Sequence, residues 1–222
     1  MTFTMLKRYG VTILLAIGVN ASAADQRAAP ESGRLQTILT INAQAPIADL
    51  NRATASLKAQ FEQHADYSVG KMFYGYGQLF IATDFLKKKN YLRAAESSKL
   101  GFFYIDEAAE TDDGDWRLRF LRARMDAFVP ASNGRCVVAV KDTDYLQQSA
   151  SLPAPLRPMV TLMSARALET CKQQEKAAAA WTALGRQGEE GQRLLALRNQ
   201  PAPAWAPAEL SLVIRPLTEG AL

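Results

Sequence analysis

Histidine is nearly absent from these 222 residues: His64 is the only one. Its nearest carboxylates, Glu62 and Asp66, stand two positions away on either side, and side chains two apart on a helix diverge. With no second histidine to complete a ligand set, a zinc site is excluded. Cysteine is scarce too, Cys136 and Cys171 alone, and no C-x-x-C spacing offers redox or metal chemistry. A serine nucleophile elbow is missing. The glycines of GKMFYGYG (70–77) have neither a preceding strand nor the Lys-Ser/Thr ending of a phosphate cradle. The turn TDDGD (111–115) lacks the alternating oxygen ligands and terminal Glu of a calcium loop. Acidic residues are plentiful, but none stands in an apolar sequence setting that would raise its pKa for acid–base work. Together these absences predict a non-enzyme with no metal and no other cofactor.

A membrane-spanning run is missing as well. The apolar stretch Val11–Val19 is too short to cross a bilayer. It follows Lys7 and Arg8 and precedes Ala21-Ser22-Ala23, which predicts a secretory signal peptide over residues 1–23, cut after Ala23. No cysteine near the cut offers a lipid-attachment site. The expected product is soluble and exported, most simply to a bacterial periplasm. Excess charge of one sign is also lacking. Lys and Arg number 26 against 22 Asp and Glu; without Lys7 and Arg8 the balance is 24 − 22, or +2. That gives no basis for nucleic-acid binding.

What the chain does have is helical hairpin patterning. Residues 75–106 read as two amphipathic helices joined by a tight basic turn at Lys87–Asn90. Small residues at Ala82, Ala94 and Gly101 let the two helices approach, with Phe85 and Tyr91 filling the space near the turn. The twelve-residue interval of Ala82/Ala94 returns at Ala127/Ala139 and Ala165/Ala177, offset by 45 and then 38 residues. In the last pair Leu168 takes the place of Phe85, Trp181 that of Ser98, and Leu184 that of Gly101. The middle pair has Pro130 at the position of Phe85, which predicts an early end to its first helix.

This pattern resembles the tetratricopeptide repeat, a helix–turn–helix unit that stacks side by side. Three positions depart from it: Gln78 stands where that family has Trp, Ser98 where it has a large aromatic, and Asp106 where it often has Pro. The expected fold is all-α, with about three tetratricopeptide-like hairpins and flanking helices over residues 47–200. Residues 24–46 are expected to be loose at the start, with Leu35–Ile41 either a short strand or the first turns of a helix. A helix over Ile47–His64 would carry Leu50, Leu57 and Phe61 on one face. Asp66 is a candidate N-cap for a helix over Tyr67–Leu86, and Asp115 or Asp113 for one over Trp116–Phe128. Gly70, Gly75 and Gly77 in the first of these cost helix stability, which predicts close contact with a neighbouring backbone. Arg135–Ala150, Leu156–Cys171 and Glu175–Gln187 follow as helices, and Gln192–Arg198 as a capping helix. Residues 201–222 read as a Pro-rich linker, PAPAWAP (201–207), and an extended tail in which Leu210–Ile214 has strand character.

Two geometric expectations follow. Cys136 lies 17 residues before Pro153 and Cys171 lies 18 after it. A hairpin folding back around that proline brings the thiols together at its open end, where an oxidising compartment joins them. In tetratricopeptide-like stacks the first helix of each pair lines a concave groove. The resemblance implies that Tyr76, Leu79, Thr83 and Leu86 line it from the first pair, with Lys87 at the rim. Leu121, Arg124 and Phe128 follow from the second, and Met159, Leu162, Arg166 and Glu169 from the third. This mixture of apolar side chains and Arg suits a protein or peptide partner in the cell envelope. The expected ligand is an extended or helical peptide with apolar anchors and some acidic character. The alternative is a carrier of a small apolar ligand, held under Phe73, Tyr74, Phe80, Phe102, Phe103 and Tyr104.

Overall fold

A computed structural model describes residues 33–219 of the chain, and among them every regular element is a helix. The expected leader lies outside the described residues. Helix α1 covers residues 33–40. It is followed by α2 (Ile47–Gln63), α3 (Ser68–Lys87), α4 (Tyr91–Thr111), α5 (Trp116–Asp126), α6 (Cys136–Gln148), α7 (Arg157–Thr170), α8 (Gln174–Gly185) and α9 (Gly188–Leu195). Residues 201–206 are irregular, and a last helical stretch combines Pro207–Glu209, a π-turn over Leu210–Ile214, and Arg215–Glu219.

The chain is a stack of antiparallel helical hairpins, α3/α4, α5/α6 and α7/α8, each packed along its length. The first helices of successive hairpins touch, α3 against α5 and α5 against α7, so they form one layer. All six spaced alanines are buried: Ala82, Ala94, Ala127, Ala139, Ala165 and Ala177 are each at most 5 % exposed. The turns repeat as well. The residue seven beyond the first alanine of each pair has a left-handed backbone: Lys89 at φ 57, Gly134 at φ 67 and Lys172 at φ 62. In each, its N–H donates to the carbonyl three residues back, Leu86, Ala131 and Glu169 respectively. In the outer two hairpins the next N–H reaches the carbonyl five back, Asn90 to Phe85 and Gln173 to Leu168, both at 2.9 Å.

Glycine sets the distance between helices in the first hairpin. A Cβ on Gly75 would lie 2.6 Å from the carbonyl oxygen of Gly101, and one on Gly77 would lie 2.2 Å from Thr54 Oγ1 on α2. No side chain fits either gap, so α3 lies against the backbone of α4 at Gly75 and against the Thr54 side chain of α2 at Gly77. It is buried over most of its first half. The close backbone contact expected at all three glycines holds at Gly75, while Gly70 is crowded by the Tyr67 ring. Asn90 caps α4 through Arg93 N, and Asp115 caps α5 through Arg117 N. Asp66 does not cap α3. The helix begins at Ser68 with Tyr67 as its cap residue, and the Asp66 carbonyl accepts from Ser68 N at 2.8 Å.

Helix α5 ends at Asp126, before Pro130, as the proline requires. Cys136 opens α6 and Cys171 closes α7; their sulfurs are bonded at 2.10 Å with Cα atoms 5.5 Å apart, which is ordinary disulfide geometry. At the N-terminal end the structure takes the helical of the two readings of Leu35–Ile41: residues 33–40 are helical, and Ile38 and Ile41 are buried in the core. At the other end an expectation is corrected. Leu210–Ile214 is helical rather than strand, because no sheet edge exists among the described residues to pair it. Helical winding instead buries Val213 and Ile214 completely.

Candidate binding groove

The face built by α3, α5 and α7 is largely covered by the chain's own C-terminal segment, which crosses it as a strap. On α7, Arg166 donates to the carbonyls of Leu197 (3.3 Å), Arg198 and Gln200 (3.0 Å), and to Ala127 O (3.1 Å). Its guanidinium also lies 4.2 Å above the ring of Phe128. Glu169 pairs with Arg198, and that hydrogen bond holds its carboxyl below the usual carboxylate range. On α5, Arg124 binds Glu209 Oε1 through Nε at 2.6 Å and the Pro203 carbonyl at 2.8 Å. Both side chains of that ion pair are buried. The Arg124 guanidinium lies 3.8 Å from the ring centre of Trp205, and Trp205 stacks on Tyr76 of α3 at 6.4 Å and 14°. Buried Tyr76 donates its hydroxyl to Leu121 O, and burial pushes its ionisation far up.

The twelve groove residues read from the sequence therefore divide. Tyr76, Leu79, Thr83, Leu86, Arg124 and Phe128 line one pocket of about 600 Å³. Its other walls are residues 39–44, the loop 129–133 and the strap from Pro201 to Trp205. Leu121, Met159 and Leu162 are core, at most 4 % exposed. Arg166 and Glu169 hold the strap. Lys87 is exposed at the end of α3, outside the pocket.

Sequence reasoning missed the strap and Trp205. The signal was a lone tryptophan amid prolines, PAPAWAP, since so large an apolar ring in irregular backbone calls for a cover. The six aromatics of the carrier alternative do not form a pocket of their own. Phe73 and Tyr74 are buried, and Tyr74 packs edge-on against Tyr104 at 4.8 Å. Phe103 is 59 % exposed, and Phe80 alone among the six lines the 600 Å³ pocket.

A second polar centre ties α4, α5 and α6 together away from that pocket. Arg135 is bidentate to Asp126 (2.9 and 2.8 Å) and to Asp106 (2.8 and 2.6 Å). Arg122 is bidentate to Asp142, at 2.7 and 2.9 Å. Burial pushes the Asp126 carboxyl up to about 7, against the opposing pull of Arg135. The expectation that no acid sits in a setting that raises its pKa is thus corrected. Asp126 stands between Met125 and Ala127 with Arg122 and Arg124 close by in sequence, and its near-complete burial in the fold is what removes water from its carboxyl. Its oxygens are held by Arg135, so the centre is built as a structural tie. His64 ends α2 in an exposed position.

No protein-family model matches this chain, and comparison with curated proteins and with solved structures finds no match.

Proposed function

We propose that this chain is an exported, non-catalytic interaction module of the tetratricopeptide-like kind, which holds a segment of a partner protein in the pocket between α3, α5 and the strap. The observation that carries the reading is the convergence of Tyr76, Leu79, Thr83, Leu86, Arg124 and Phe128, six of the twelve residues implied by the tetratricopeptide resemblance, on one open pocket of about 600 Å³. A pocket of that size with mostly apolar walls is an ordinary binding volume. The Cys136–Cys171 bond fits an oxidising compartment such as the periplasm, and no helix among the described residues is long and apolar enough to cross a membrane.

Carriage of a small apolar ligand is a second reading, favoured by the number of separate segments that wall the pocket. Site-specific photo-crosslinking in the native envelope tests the first. A crosslinker at Thr83 is expected to trap a discrete protein adduct that one at exposed Val137, on α6, does not trap. Identical adducts from both positions would refute the site.

A further inference from the structure

The chemistry of the pocket wall specifies what enters it, and this inference rests on reading the pocket as the binding site. Among the described residues Arg124 is the only charged side chain lining it, and its charge is already matched by buried Glu209 while its face is covered by Trp205. Of the two further cations of the expected groove, Arg166 is occupied by the carbonyls of the strap and of Ala127, and Lys87 lies outside the pocket. A carboxylate or ammonium seated against this wall would find no free counter-charge among the described lining residues. The floor is apolar, from Leu79, Phe80 and Phe128. Around the mouth stand Gln44, Ser98, Ser132 and Asn133, neutral groups whose side chains bond to no other described residue. Amide and hydroxyl side chains offer both donors and acceptors, the complement of main-chain N–H and C=O. The strap from Pro201 to Trp205 already runs along one wall without helical structure, with its Pro203 carbonyl bound by Arg124.

We propose that the occupant is an extended, uncharged peptide segment of the partner. Its apolar side chains fill the floor, and its main chain is read by Gln44, Ser132 and Asn133. This replaces the acidic character expected from the sequence. A bare hydrocarbon chain would leave the polar mouth unused.

Isothermal titration of the disulfide-intact mature protein tests this with four probes. Three are N-acetylated, C-amidated pentapeptides of Val, Pro and Phe: one uncharged, one carrying two Glu and one carrying two Lys. The fourth is dodecyl maltoside, below its micelle concentration, as an uncharged hydrocarbon. The uncharged peptide is expected to bind about tenfold or more tightly than either charged one. It is also expected to shift the side-chain amide resonances of Gln44 and Asn133, and to lose binding in Thr83→Trp, which fills the pocket from an exposed position. Leu86→Trp, at a site 51 % exposed, serves the same purpose if the first variant misfolds. Val137→Trp should bind as wild type. Equal or tighter binding of the acidic peptide, or binding of the glycoside alone, overturns the peptide class while leaving the pocket as the site. Binding by no probe, or binding insensitive to both blocking variants, overturns the pocket reading as well.

Discussion

Arg124 shows how one side chain serves two layers. Its ion pair with Glu209 is buried, so removing either partner leaves the other as an uncompensated charge away from water. Arg124→Met is expected to cost about 3–5 kcal/mol, and Arg124→Met/Glu209→Leu much less than the two single changes combined. Urea unfolding of the four proteins measures this; additive losses would mean the pair is not coupled. Asp126 carries a pH signature. Its carboxyl ionises near 3.8 when unfolded but at about 7 in the fold. Between those values the folded state holds more protons, so this group's contribution to stability falls as pH rises from about 4 to 7, and is constant above. Relative to Asp126→Asn, the wild type should therefore lose stability across that window. A stability difference that is flat with pH, or that rises, contradicts the assignment.

The hairpin is the unit that repeats, and its turn is as regular as its alanines. Gly134 adopts φ 67 with nothing within 4 Å of where a Cβ would stand, so Gly134→Ala meets only the conformational penalty. A loss of about 1–2 kcal/mol is expected by thermal melting. A neutral result would mean that the loop 131–134 relaxes out of the shared turn. The α6/α7 connection is stapled at its open end across 35 residues of sequence. Cys136→Ser/Cys171→Ser is expected to lower stability by about 3–4 kcal/mol on the chain-entropy model, measured by denaturant unfolding under non-reducing conditions. A change below about 1 kcal/mol would show that the helices hold that loop without help.

Over the whole molecule the C-terminal segment decides whether the inner face is open. A chain ending at Gln200 would lack Trp205, Glu209, Val213 and Ile214, the last two fully buried. Such a chain is expected to lose cooperative melting and to bind a hydrophobic dye. A native-like melt would instead make the strap a removable cover. Much of this architecture was legible beforehand because it depends on local spacing. Alanines twelve apart, Asp115 before a helical run, and two cysteines about equally far from Pro153 each report a constraint set by helix geometry. That six of the twelve stripe residues share one pocket has the same origin, since register on one helix follows from 3.6 residues per turn. Leu210–Ile214 was misread because a short β-branched run fits either period, and the absence of a strand partner is a long-range fact. Asp126 looked ordinary because its desolvation comes from burial in the folded core, which its sequence neighbours Met125 and Ala127 do not by themselves report. The sequence by itself determined the helices, their pairing into hairpins and the disulfide, all consequences of short-range periodicity and chain reversal. Only the tertiary structure decided that the strap, through Arg124, Arg166 and Trp205, closes part of the inner face and leaves a pocket whose lining arginine is already paired, since that depends on contacts between residues 30 to 130 positions apart.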